Sequence, residues 1–161
     1  MEALLPAAER VGAKLKQRGE TIAIAESSGG GLISAALLAV PGASAYFLGG
    51  SVVYTIQARE GIVGITKDQM VGLRSSSEPY AQLLANSVRD RVGATWGLAE
   101  TGAAGPTGNR YGDPAGHTCI AIAGPHQSVL TYRTDSDDRL ANMRAFALKT
   151  LETMEMALSQ S

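Results

Sequence analysis

Apolar and polar positions along this chain follow two periods in turn, and the switches between them lay out the elements. Residues 2–18 place Leu4, Ala8, Val11 and Leu15 at helical spacing, with Gly19 where a helix C-cap belongs. Thr21-Ile22-Ala23-Ile24-Ala25 is short, apolar and β-branched, which predicts a buried strand. A helix is expected from about Gly30 to Ala39, stopped by Pro41-Gly42. The aromatic and β-branched stretch over 44–55 reads as a strand with a glycine interruption or bulge at Gly49-Gly50. Two short helical pieces over 56–63 and 66–73 follow.

Ser75 and Glu78 stand at capping-box spacing, with Pro79 tolerated in the first turn, and open a helix with Leu84, Val88 and Val92 on one face. Residues 94–100 read as a strand and 101–108 as a second glycine-rich loop. A polar excursion over 109–116 leads into two strands, 117–123 and 128–134, joined by a hairpin at Gly124-Pro125-His126-Gln127. The last helix is expected to be capped near 135–137 and to bury Leu140, Met143, Ala147, Leu151, Met154 and Leu158. Helices that alternate with strands and end in a hairpin predict a three-layer α/β/α sandwich, with a mostly parallel sheet and an antiparallel C-terminal hairpin. The whole of 1–161 reads as one domain.

Strand, Ser/Gly turn and helix is an arrangement that aims free backbone N–H groups and a positive helix end at an anion. Ala25-Glu26-Ser27-Ser28-Gly29-Gly30-Gly31 has this form, although it would serve equally as an ordinary serine-capped helix start after a glycine turn. Both Ser/Gly loops leave the carboxyl ends of expected parallel strands, where ligands collect in such sheets. Residues 26–31 and 101–108 are therefore expected to face one ligand.

Composition narrows the class of that ligand. A net charge of −1, with no block of like charges, argues against nucleic acid. No apolar run reaches the roughly 18 residues of a membrane span, and no signal-peptide layout opens the chain, so a cytoplasmic protein is expected. The single Cys119 has no intrachain partner and lies in an apolar strand. Two histidines, without HxxH or CxxC spacing, give no built-in metal site, and no cofactor is expected.

Six segments, in order and at matching spacing, resemble the signature of the CinA C-terminal domain family, which includes the stand-alone nicotinamide mononucleotide (NMN) deamidases. They are Ala25-Glu26-Ser27-Ser28-Gly29-Gly30-Gly31, Val40-Pro41-Gly42-Ala43-Ser44, the run from Gly50 to Arg59, Ser77-Glu78-Pro79-Tyr80-Ala81, Thr101-Gly102-Ala103-Ala104-Gly105-Pro106 and Asp137-Asp138-Arg139. The resemblance implies hydrolysis of the carboxamide of NMN to nicotinic acid mononucleotide and ammonia, by a serine working with a lysine. It further implies a homo-oligomer, and it carries no expectation of the nucleotide-processing N-terminal domain of longer CinA proteins.

Amide cleavage wants a nucleophile with a base beside it, donors for the oxyanion and a cradle for the 5′-phosphate. By resemblance, Ser27 and Ser44 are the candidate nucleophiles and Tyr54 is a second hydroxyl at the site. Glu26, Ser28, Gly29, Gly30, Gly31, Thr101 and Gly102 would bind substrate, and Arg139 would meet the phosphate. One departure bears directly on the chemistry: the family's lysine is Arg59 here. A guanidinium keeps its proton at neutral pH, so Arg59 cannot act as a general base; it can bind an anion or acidify a neighbouring hydroxyl. The family's Cys-Thr is Ser28-Gly29 and its Asn-Glu is Ile56-Gln57. Three functions follow as alternatives: an NMN amidohydrolase, a nucleotide-binding module without catalysis, or an enzyme for a different small amide or phosphate ester.

Overall fold

A computed structural model describes residues 1–160. Five strands form one sheet: β1 (Ile22–Glu26), β2 (Phe47–Val52), β3 (Trp96–Ala103), β4 (His117–Ala123) and β5 (Ser128–Arg133). They lie in the order β2-β1-β3-β4-β5. β1 pairs in parallel with both β2 and β3, while β3–β4 and β4–β5 are antiparallel, so β4 alone runs against the other four. The expected mostly parallel sheet with an antiparallel hairpin is thus present.

The layers follow from side-chain alternation along β1. Ile22 and Ile24 point to one face, where they meet α1 (Leu5–Arg18), α2 (Leu32–Leu38) and α5 (Arg139–Gln160) together with Trp96, Leu98 and Ile122. Ala23 and Ala25 point to the other face, beside Ala99, Ala121 and Ala123, under α4 (Glu78–Val92). Small residues on that face let α4 sit close to the sheet. A Cβ on Gly97 would lie 2.0 Å from the Ala85 carbonyl oxygen. The large-and-small alternation therefore sets a thick layer on one side and a thin one on the other.

Several boundaries differ from the sequence pattern for local reasons. Gly19 caps α1 in the left-handed region, as expected (φ 63°). The strand expected over 44–55 is shorter, because Ala43–Ala45 forms a 3₁₀ turn; the register of β1 against β2 slips opposite Leu48, next to the two glycines. Residues 56–63 give α3 (Ile56–Gly61), and 66–73 only a 3₁₀ turn at Asp68–Met70. The cap of α4 is Ser77, whose hydroxyl accepts from the Tyr80 N–H, rather than Ser75. Val92 and Leu140, expected in the core, are exposed at helix ends. The second loop begins later than its composition suggests, since Thr101, Gly102 and Ala103 all belong to β3. No helix among the described residues is long and apolar enough to cross a membrane.

Candidate functional site

Parallel pairing puts the carboxyl ends of β1, β2 and β3 on one edge of the sheet, and a crevice in two chambers opens there. The first, about 330 Å³, is lined by Ser27 after β1, by Val53, Tyr54, Thr55, Ile56 and Arg59 after β2, and by Ser75, Ser76, Tyr80, Thr101, Gly102 and Arg110. The second, about 270 Å³, is lined by Ser28, Tyr54, Gly102, Ala103, Ala104, Gly105, Thr107, Gly108, Asn109 and Arg139. Tyr54 and Gly102 border both, so the chambers are two halves of one site. The two Ser/Gly segments do share an edge.

The glycine loop behind these chambers works differently from the anion cradle its sequence suggests. Two fully buried carboxylates take up its donors. Glu26 accepts from the N–H groups of Gly31 and Ile33 (both 3.0 Å) and Ser34 (2.8 Å), and from the Ser34 hydroxyl (2.6 Å). Glu100, from the middle of β3, accepts from Ser27 N–H (3.2 Å), Gly29 N–H (2.7 Å), the Thr118 hydroxyl (2.6 Å) and the Ser28 hydroxyl. A Cβ on Gly29 would sit 3.1 Å from one carboxylate and 3.3 Å from the other, so the glycine is there for their close approach. Gly30 and Gly31 make the turn at positive φ. The start of α2 is thus filled by the protein's own acid. Glu26, Gly29, Gly30 and Gly31 line neither chamber. The N–H groups of Gly29 and Gly31, expected to meet substrate, are taken by the two carboxylates, and that of Gly30 by the Ser27 carbonyl.

Burial pushes the Glu26 carboxyl above its ordinary range; the Ser34 and Ile33 hydrogen bonds pull it partly back, and Glu100 pushes it up again. Above pH 4.5 the folded chain then holds a proton that the unfolded chain has released, so raising the pH through the raised pKa costs stability. Denaturant unfolding of the parent and of Glu26→Gln over pH 4–8 is expected to differ in slope. The parent should lose stability relative to the variant as pH rises; parallel curves would exclude a raised carboxyl.

Each remaining candidate has a definite place. Ser27 is partly exposed, lines the first chamber, and its hydroxyl has no protein partner among the described residues. Ser28 is buried and committed to Glu100. Ser44 stands apart: it precedes β2, whose Phe47 pairs with Ile22 at the start of β1. This exposed serine sits at the opposite end of the strands from the crevice, and its expected convergence on the site is corrected. Thr101 is buried and accepts from Ser76 N–H (3.3 Å). Gly102 has no room for a Cβ, which would lie 2.3 Å from the His117 carbonyl oxygen, so β4 requires this glycine irrespective of any ligand. Arg139, at the start of α5, donates to the Gly105 carbonyl (2.6 Å) and to the Tyr54 hydroxyl (3.3 Å), which aims it along the second chamber.

Arg59 lies on α3 and is 8% exposed, facing the first chamber beside Tyr80. Its Nε–H is buried without a hydrogen-bond partner. Burial raises the Tyr80 phenol, and the charge of Arg59 pulls it partly back, so the hydroxyl that Arg59 acts on is that of Tyr80.

Sequence reasoning overlooked a second support, behind the loop that carries Arg110. Arg74 grips Asp113 through two bonds of 2.6 and 3.2 Å, and Asn109 adds a third of 2.8 Å. Burial alone would raise the Asp113 carboxyl, but the hydrogen bonds from Arg74 and Asn109 hold it below the usual range. His117 bonds through Nε2 to the Ser76 carbonyl (2.9 Å), and Ser76 takes a left-handed backbone (φ 57°). For a residue with a Cβ that conformation costs about 1–2 kcal/mol, and here it is held from both sides by His117 and Thr101. Glu100 was legible as a charge inside an apolar strand; Ser76, Tyr80 and Arg110 are joined to the site only by folding.

The protein is a three-layer α/β domain with a hydroxyl- and guanidinium-lined crevice at its strand ends. The family model for the CinA C-terminal domain matches residues 5–158, and the chain belongs to that family. A CinA-like protein from Anaeromyxobacter sp. (strain K) is 38% identical over 150 residues, which cover 93% of this chain and 37% of that protein. One from Prochlorococcus marinus (strain MIT 9313) is 44% identical over 112 residues, covering 70% and 26%. The chain thus spans little more than a third of these relatives at most. Among solved structures, a competence/damage inducible protein from Agrobacterium tumefaciens superposes with a TM-score of 0.86 at 28% identity, over 97% of this chain and 95% of that one. A CinA superfamily protein from Klebsiella pneumoniae gives 0.91 at 24% identity, over 98% and 99%, which speaks for the fold.

Proposed function

We propose that the crevice binds a mononucleotide and hydrolyses the carboxamide of NMN to nicotinic acid mononucleotide and ammonia, slowly because the site lacks a general base. The observation that carries this reading is Ser27, a partly exposed hydroxyl without a protein partner, facing a chamber whose sister chamber ends in Arg139. In the reaction Ser27 Oγ attacks the carboxamide carbon, and its proton passes through solvent water to the departing nitrogen. The C–N bond breaks, ammonia departs, and water then cleaves the acyl-serine to the acid. Ser28 is less suited to attack, since its hydroxyl already donates to a carboxylate holding three other donors.

Arg59 favours a second reading, binding without appreciable turnover, because the cation that lines the chamber with Ser27 holds its proton. Ammonia release from NMN by the purified chain, beside calorimetric titration of the same ligand, separates the two. Binding with turnover supports the hydrolase, binding alone supports the module, and neither removes both. For the phosphate, Arg139→Ala is expected to weaken NMN binding about tenfold or more, the size of a charge-assisted contact. Equal affinities of parent and variant would take Arg139 out of the site.

A further inference from the structure

The first chamber has a charge that hydrolysis does not use. Arg59 is 8% exposed, its Nε–H has no partner, and no carboxylate pairs with it among the described residues. Buried cations are ordinarily paired, because removing one from water is costly without a counter-charge. Arg110 lines the same chamber, which has no acidic residue in its wall. The two nearby acids, Glu26 and Glu100, face their own four donors each. Ser27, Thr101 and Tyr80 add hydroxyls that can orient an oxygen ligand.

We propose that the counter-ion of Arg59 is a carboxylate brought by the ligand, so that the crevice holds the acid form of a pyridine mononucleotide in preference to its amide. The proposal rests on the mononucleotide reading above and names which ligand it favours. A planar fork suits a planar carboxylate, and a carboxamide offers the same fork one neutral oxygen and a misplaced N–H₂. A phosphate is the other oxyanion that arginine takes. It carries more charge and loses more on burial, and Arg139, an exposed residue in the second chamber, suits it better. The ligand thus lies with its carboxylate toward Arg59 and its phosphate toward Arg139. A site built this way retains the product of amide cleavage, or reports on its level, rather than releasing it.

The test is calorimetric titration of the full chain with nicotinic acid mononucleotide, NMN and inorganic phosphate, repeated on Arg59→Gln. The acid is expected to bind about tenfold or more tighter than the amide, and Arg59→Gln to erase that ratio by weakening the acid more than the amide. The ratio measured on the parent alone decides the matter should the variant fold poorly. Equal affinities for acid and amide would overturn the carboxylate subsite and leave the mononucleotide reading standing. Phosphate binding that is lost in Arg59→Gln but kept in Arg139→Ala would also overturn it, by assigning the chamber to phosphate. If neither mononucleotide binds, the mononucleotide reading fails, and free nicotinate against nicotinamide decides the subsite. Nicotinate binding that needs Arg59 sustains it, and no nicotinate binding removes it.

Discussion

Glu100→Ala is expected to lower stability by about 3–5 kcal/mol, because buried neutral donors left without an acceptor cost about 1–3 kcal/mol each. At about 2–4 °C per kcal/mol for a chain of this size, the melting temperature should fall by about 6–20 °C. The reason is the donors left behind. Ser27 and Gly29 would lose the acceptor of their N–H groups, and Ser28 and Thr118 that of their hydroxyls, around a carboxylate that is fully buried. Glu100→Gln provides the contrast. Its amide oxygen can keep the two N–H donors, while its N–H₂ faces two hydroxyls that can rotate to accept. It also removes the negative charge that pushes Glu26 upward. The glutamine variant should therefore stay within about 1–2 kcal/mol of the parent, near the net worth of a hydrogen bond. Thermal and urea unfolding of the two variants measure this. A glutamine variant as unstable as the alanine one would mean that the charge itself, and not the acceptor geometry, holds the loop.

That network marks where the sequence stops being readable. The layers were legible because Ile22-Ala23-Ile24-Ala25 and its partners alternate large and small, and a period of two allows one assignment of faces. The shared edge of the two Ser/Gly segments followed from parallel pairing. What the sequence could not say was which acceptor answers the donors of the 27–31 loop. A Ser/Gly turn before a helix predicts N–H groups looking for an anion, and it is silent on whether that anion is a ligand or a side chain from a strand 70 residues on. Ser44 shows the same limit. Its motif placed it beside a proline-glycine turn, but the turn lies before β2, at the amino-terminal end of the strands. Tyr80 sits one helical turn after a cap, like many packing tyrosines, and only the fold brings it against Arg59.

Replacing Arg59 by lysine is expected to raise NMN deamidation about 10²–10⁴-fold, the usual contribution of a general base. In the parent the first chamber holds a guanidinium that keeps its proton at every pH in the working range, so Arg59 cannot take the proton of Ser27. A lysine on the same turn of α3 would be largely buried, beside a phenol and with no carboxylate to hold its proton. Burial disfavours an ammonium and lowers its pKa, and the nearby charge of Arg110 acts in the same direction. The neutral amine can then take the Ser27 proton, so the gain in rate should grow as pH rises through that lowered pKa. Arg59→Met serves as the control, since it removes the charge and supplies no base; its rate should stay near the parent's or below. Steady-state ammonia release by the three proteins across pH 6–9 measures the effect. A parent as fast as the lysine variant, and slowed by Arg59→Met, would show that the site works through arginine as an electrostatic catalyst, with the serine proton leaving by another route.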